Sequence, residues 1–398
     1  MTDALDILLQ ISIILLGGTF LSLLAPRIRI PELLLFVLFG FGLRQFSQQV
    51  YPFFDLPFIF IATTGLLVLA LNVFEGSASI SFRTLDKVSS TALKLVFINT
   101  VFHMILFTAA SWAIMGSPLP QAALFAAIFV GTSAPITLAL LGNVKGYVFG
   151  LLRFESLLNT PFNALIPFLI IDIFFGAGGG IENAVEPIKT FLLQIFVGIG
   201  VGVLAGLILF KLIHKIYSRI YSPLAVLIAS LLTYALAETL GGTGVLAVMA
   251  LGLLFGNLYI KQRKQMLEVE SVFSRSVYIL LLVLFGTLLS FPLTFIFLLK
   301  VVLLLIAYTL IRYLSILVSL PHLLKREKIY MALMGTNGVT SISIMVVIAA
   351  FGIAGIEYIL ELFGAFLLGQ LVLSSVAALL TKNIMPQNKK SNLIKIRS

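Results

Sequence analysis

Cysteine is absent from the 398 residues. That excludes disulfides, thiol nucleophiles and cysteine-ligated metals, and leaves the compartment open. Charge is almost as scarce: Asp, Glu, Lys and Arg make up 11% of the chain, too few to cover the surface of a soluble domain of this length. The 3 histidines are scattered without metal-ligand spacing, and no cofactor is implied. No nucleophile–base pair is visible, so the chain does not read as an intramembrane enzyme. What is abundant is apolar: 60% of residues are hydrophobic and the mean hydropathy is +1.14. Apolar runs recur from Leu5 to Leu380, the pattern of an all-α polytopic membrane protein. The N-terminus carries neither the charged n-region nor the cleavage site of a signal peptide, so the first run is expected to stay as a span.

About thirteen spans are expected, roughly 5–25, 31–46, 56–75, 88–115, 120–142, 147–175, 189–213, 221–240, 243–260, 273–291, 294–320, 328–351 and 357–381. An odd number puts the termini on opposite sides. One side then collects most of the basic residues, from Arg27, Arg29, Arg83 and Lys87 to the tail with Lys389, Lys390 and Arg397. The other receives Arg44 and Lys189. By the positive-inside rule the basic side is cytoplasmic, which places the chain in the cell membrane with its N-terminus out and C-terminus in. The net charge of +10 is therefore a matter of topology and of the lipid bilayer surface, with no nucleic acid partner expected.

The chain reads as one transmembrane domain over 1–398. The glycine-rich stretch GAGGGIENAVEP (176–187) separates a first repeat, about 1–175, from a connecting helix, about 189–213. A second repeat follows, about 221–381, and then a basic cytoplasmic tail, 382–398. Six spans and one connecting span invert the second half relative to the first, the arithmetic of two inverted six-helix repeats. Matching faults support this. The fifth span contains GTSAPITLALLG, with Ser133, Ala134 and Pro135; the twelfth contains MGTNGVTSIS, with Thr336, Asn337 and Gly338. Proline removes a backbone donor and glycine favours unwinding, so both helices are expected to break within the membrane, cross, and wall a hydrated pocket.

Between them runs FESLLNTPFN, residues 154–163. Glu155, Asn159 and Asn163 recur at i, i+4, i+8 and share a face, with Ser156 and Thr160 on the adjoining stripe. Asn159 and Thr160 lie roughly 18 Å along the helix from Tyr147, near the bilayer midplane, where a polar face must look into protein or water. Asn163 by itself reads as interhelical glue. A buried Arg312 needs a carboxylate partner, with Glu155 or Glu75 the candidates. Glu238, before a glycine turn, reads as structural, and Asp172 as interfacial.

Together these segments resemble the monovalent cation:proton antiporter superfamily, the sodium/proton exchangers. The resemblance runs in order through RIRIPELLLFVLFGFGL (27–43), LNVFEGSASISFRTLDKV (71–88), RFESLLNTPFN, AETLGGTGVLAVMALGLLFGN (237–257) and IRYLSI. It implies a secondary transporter working by alternating access, commonly a homodimer, with monovalent cation and protons as its partners. It also implies that the ion sits between the helix crossing and the sixth span. By motif, Ser133, Glu155, Ser156, Asn159 and Thr160 occupy ion positions, with Glu75 close by. The departures all remove charge. Ser133-Ala134-Pro135 stands where the family has Thr-Asp-Pro, Asn159-Thr160 where it has Asn-Asp, and Asn337 where an arginine is expected to pair with Glu155. Hydroxyls and amides do not titrate near neutral pH, so Glu155 and Glu75 are left as proton carriers. Transport of another solute on the same scaffold, and a non-transporting sensor or partner subunit, are the competing expectations.

Overall fold

The computed structural model describes residues 2–28, 30–49, 56–80, 87–133, 136–137, 147–175, 185–215, 218, 221–258, 263–292 and 294–384. Among these, the regular structure is helical, with no strand. The expected break residues Ala134 and Pro135, most of the glycine-rich linker and nearly all of the basic tail lie outside the described residues.

Apolar runs become helices because a backbone in hydrocarbon can satisfy its amides and carbonyls only within its own segment. In the first half these are α1 (Thr2–Ile28), α2 (Glu32–Gln49), α3 (Phe58–Ala78), α4 (Lys87–Phe102), α5 (Thr108–Met115), α6 (Leu119–Ile128) and α7 (Tyr147–Phe175). A π-helical turn, His103–Phe107, joins α4 to α5. The second half contains α8 (Val185–Lys215), α9 (Tyr221–Thr239), α10 (Gly244–Asn257), α11 (Arg263–Leu288), α12 (Phe295–Ser319), α13 (Lys325–Leu333), α14 (Val339–Ala349) and α15 (Ile356–Ile384). Among the described residues, 8 helices are long and apolar enough to cross a membrane, α4 through α5 counting as one. The apolar segments of α6, α10, α11 and α14 are shorter.

The ends of the helices follow from local chemistry. Pro57 and Pro118 stand at the N-caps of α3 and α6, where a missing N–H costs nothing. Gly241, at φ 73°, turns the chain between α9 and α10, and the Glu238 carboxylate accepts the Gly244 N–H at 2.8 Å. Glu238 is thus a helix cap. Arg44 donates to the Thr287 and Leu289 carbonyls at 3.1 and 3.2 Å, covering the free C-terminal acceptors of α11. Lys300 does the same for Met115 at the end of α5, at 2.8 Å.

The helices pack as two groups. One comprises α1, α2, α3, α8, α9, α10 and α11; the other comprises α4 with its π turn, α5, α6, α7 and α12 to α15. Their main junction is α3 lying along α14. Inside the first group α2 and α11 meet backbone to backbone. A Cβ on Gly40 would run into the Val283 carbonyl, and one on Gly286 into the Val37 carbonyl. Small residues at such a crossing replace the hydrophobic drive that lipid cannot supply. Replacing Gly286 by valine is therefore expected to pry α2 from α11, at a cost of about 1–3 kcal/mol. In detergent this should appear as a clearly lower melting temperature than that of a Gly42→Val control, since a Cβ on Gly42 meets nothing within 4 Å.

Candidate functional site

Two helices are interrupted at the centre of the second group. After α6 the chain leaves helical geometry through Phe129–Ser133 and resumes at residues 136–137. Between α13 and α14 it is non-helical from Gly335 to Gly338. The two unwound segments touch: the Ser133 N–H donates to the Thr336 carbonyl at 2.7 Å. A side chain on Gly338 would collide with Ser133 and Ile136, so glycine permits the close approach. Ser133, Thr336, Asn337 and Gly338 are thus brought together.

Unwinding frees backbone groups, and surrounding side chains take them up. Ser341 Oγ donates to the Ile128 carbonyl at 2.9 Å. Asn99, on α4, donates to the Val130 carbonyl at 3.1 Å and accepts from Ser315 of α12 at 2.9 Å. Gln370, on α15, donates to the Gly335 carbonyl at 2.6 Å and accepts the Asn337 N–H at 3.2 Å. Tyr308 OH donates to the same Gly335 carbonyl at 3.2 Å. On one flank, Phe129 packs within 5.0 Å, centroid to centroid, of Phe125, Phe363 and Phe366. This aromatic cluster covers the break.

The FESLLNTPFN stripe faces the crossing from α7. Asn159 Nδ2 donates to Thr132 Oγ1 at 3.0 Å, and Asn163 Nδ2 to Ser341 Oγ at 3.2 Å. Asn163 thus ties α7 to α14, as glue would. Ser156 is buried and donates to the Arg153 carbonyl at 3.0 Å. Thr160 lies on α7, with its side chain outside the described residues. Glu155, Ser156 and Asn159 are 0% exposed and Ser133 is 6% exposed. These side chains are enclosed by protein.

Of the two carboxylates offered to Arg312, Glu155 is the one it meets. Asn337 does occupy the crossing, but its loss of charge does not strip Glu155 of an arginine. Arg312 reaches it from α12, with Nη1–Oε1 2.9 Å and Nη2–Oε2 3.1 Å, and both side chains are fully buried. Arg312 Nε also donates to the Met331 carbonyl at 3.2 Å. Burying two charges is tolerable only as a pair with further hydrogen bonds. Glu75, the other carboxylate, is exposed on α3. One turn earlier, Asn72 donates to Thr340 of α14 at 2.9 Å.

Several participants escaped the sequence reading. Asn99, Tyr308 and Gln370 carry no motif, and Thr132 lies within GTSAPITLALLG without having been singled out. The available signal for Gln370 was a lone amide in the apolar run LLGQLVL, which marks a residue facing protein rather than lipid. The π turn beside the site was also invisible in sequence, although such turns recur at functional positions. It carries buried His103, whose Nδ1 lies 2.9 Å from the Asn99 carbonyl and whose ring meets Tyr308 edge-on at 4.9 Å.

Around the crossing, Thr137 Oγ1, Asn159 Oδ1, Asn163 Oδ1, Thr336 Oγ1 and Ser343 Oγ are buried without hydrogen-bond partners. Neutral oxygens without donors suit a dehydrated cation or ordered water. Among the described residues no group of His, Cys, Asp and Glu could hold a metal ion.

Comparison with known proteins places this geometry. Residues 11–382 match the family described as sodium/hydrogen exchanger, transmembrane. A curated relative, "Probable Na(+)/H(+) antiporter 2" of Methanocaldococcus jannaschii, is 27% identical over 71% of this chain and 69% of its own length. The "Na(+)/H(+) antiporter ApNhaP" of Aphanothece halophytica is 26% identical over 61% of this chain, which spans 46% of that protein. The solved sodium proton antiporter MjNhaP1 of M. jannaschii, at pH 8, superposes with a TM-score of 0.77 over 96% of this chain and 97% of its own, at 19% identity. That likeness establishes the fold.

The buried ion pair generates a test. Arg312→Met leaves Glu155 charged and unpaired in the interior, and is expected to destabilise the protein by about 3–5 kcal/mol. Adding Glu155→Gln to it should recover much of the loss, as read from melting temperatures in a double-mutant cycle.

Proposed function

The chain belongs to the sodium/hydrogen exchanger family, and from that premise we propose that it exchanges a monovalent cation, sodium or potassium, for protons by alternating access. The observation that carries this reading is the meeting of two interrupted helices at Ser133 and Thr336, ringed by buried oxygens without partners. In this proposal the cation rests among the oxygens of Ser133, Asn159, Thr160 and the unwound backbone, with Ser156 close by. Arg312 engages Glu155, so Glu155 supplies fixed structure and charge next to the site. Exposed Glu75 is then the better placed of the two carboxylates to take up and release protons. Residence in the cell membrane with the C-terminus inside, two inverted repeats and a homodimer belong to the same proposal. They are supported by the distribution of basic residues, the paired helix breaks and the family resemblance.

The test is transport. Purified protein in liposomes under an imposed proton gradient is expected to dissipate it when sodium, potassium or lithium is added, and Glu75→Gln is expected to abolish that response. Dissipation that persists in both Glu75→Gln and Glu155→Gln would reject the proposed coupling. No response to any of the ions would favour a non-transporting relative, the reading that the uncharged Ser133-Ala134-Pro135 and Asn159-Thr160 motifs support.

Restoring a carboxylate supplies a second test. Thr160→Asp puts a titratable ligand where hydroxyl and amide oxygens now stand, so protons should compete with the cation directly. Its apparent KM for the cation should rise as pH falls below about 5, near the ordinary carboxylate range. The ratio of variant to parent KM, measured across pH, shows the effect.

A further inference from the structure

The segment between α13 and α14 is held at two points by one side chain. The Gln370 carboxamide donates through Nε2 to the Gly335 carbonyl at 2.6 Å and accepts through Oε1 from the Asn337 N–H at 3.2 Å. Asn337 Nδ2 approaches the same oxygen at 3.4 Å. Gly335 and Asn337, residues i and i+2 of the non-helical segment, are thereby gripped by a group with one donating end and one accepting end. One turn along α15, Ser374 Oγ donates to the Leu333 carbonyl at 2.7 Å, so this face of α15 serves the freed carbonyls in succession.

Thr336 sits between the gripped residues. Its N–H donates to Met334 O at 3.0 Å and its carbonyl accepts from Ser133 at 2.7 Å. Both backbone groups are committed, while its hydroxyl is buried without a partner. We propose that Gln370 is a positioning residue that clamps the unwound segment on both sides of Thr336 and so aims the Thr336 hydroxyl as a neutral oxygen ligand for the transported monovalent cation. This rests on the reading of the crossing as the cation site. The clamp needs an amide. A carboxylate would set a second acceptor against the Gly335 carbonyl, a leucine would leave the Asn337 N–H unpaired and the Gly335 carbonyl with Tyr308 OH as its donor, and a protonated acid would again offer one donor and one acceptor.

The experiment compares the full-length parent with Thr336→Val, Thr336→Ser, Gln370→Leu and Gln370→Glu in liposomes, by isotopic cation exchange at equal pH on both sides. Thr336→Val is expected to raise the apparent KM roughly tenfold with the maximal rate little changed, and Thr336→Ser to restore it. Gln370→Leu should raise KM at every pH. Gln370→Glu should match the parent at acid pH and fall behind it as pH rises, because deprotonation removes the donor. A ratio of Gln370→Glu to parent that is flat across pH would overturn the positioning role, since packing alone has no such dependence. The clamp has a second readout in amide hydrogen exchange of residues 334–338, expected to quicken in Gln370→Leu; unchanged exchange would overturn it. A parent that moves no cation would sink the functional reading and the ligand role of Thr336 together, with the clamp then decided by amide exchange.

Discussion

A backbone amide inside a membrane has no water to fall back on, and everything at the centre of this protein follows from that constraint. Two helices stop short of crossing the bilayer, each exposing carbonyls and N–H groups that cost several kcal/mol apiece if left alone in hydrocarbon. The Ser133 N–H to Thr336 carbonyl bond pairs one break with the other. Ser341, Asn99, Tyr308 and Gln370 then take up the Ile128, Val130 and Gly335 carbonyls. These four side chains come from four different helices, so the breaks are stable only in the assembled fold. Once the backbone is satisfied, the surplus polarity is a set of neutral side-chain oxygens, and these give the region its chemical character.

Charge at this centre is organised differently from the motifs that the chain resembles. The arginine absent from the Asn337 position is supplied to Glu155 by Arg312, one helix away. The pair also braces the break, since Arg312 bonds the Met331 carbonyl near the end of α13 and a Cβ on Gly335 would collide with its guanidinium. The guanidinium thus packs against the unwound segment at Gly335, which links the packing of α12 to the conformation of the crossing. The neutral positions at Ser133, Asn159 and Asn337 leave the oxygens around the crossing to act as dipoles rather than as bases.

The helices that carry the crossing meet the rest of the molecule mainly where α3 lies along α14. On that line Gly65 faces Ser343 and Val346 closely, and the Asn72–Thr340 hydrogen bond is a polar tie across it.

Much of this was legible in one dimension. Apolar run length and the spacing of prolines and glycines located the helices, because membrane thickness and the missing proline N–H act locally. The i, i+4, i+8 stripe of Glu155, Asn159 and Asn163 faces protein for an equally local reason, the 3.6-residue turn. Partners were not legible. Arg312 and Glu155 are 157 positions apart; burial implied that Arg312 needs a carboxylate, but the choice of Glu155 over Glu75 follows from no short pattern. Gln370 and Asn99 matter only because distant backbone happens to be open beside them, and the burial of the site depends on α4, α12 and α15 closing around it. The sequence by itself determined an all-helical membrane protein with two faults and a polar stripe. Which charge neutralises which, and which amide holds the unwound chain, was decided by tertiary structure, since hydrogen bonds and ion pairs in a low-dielectric interior are set by distances that only packing creates.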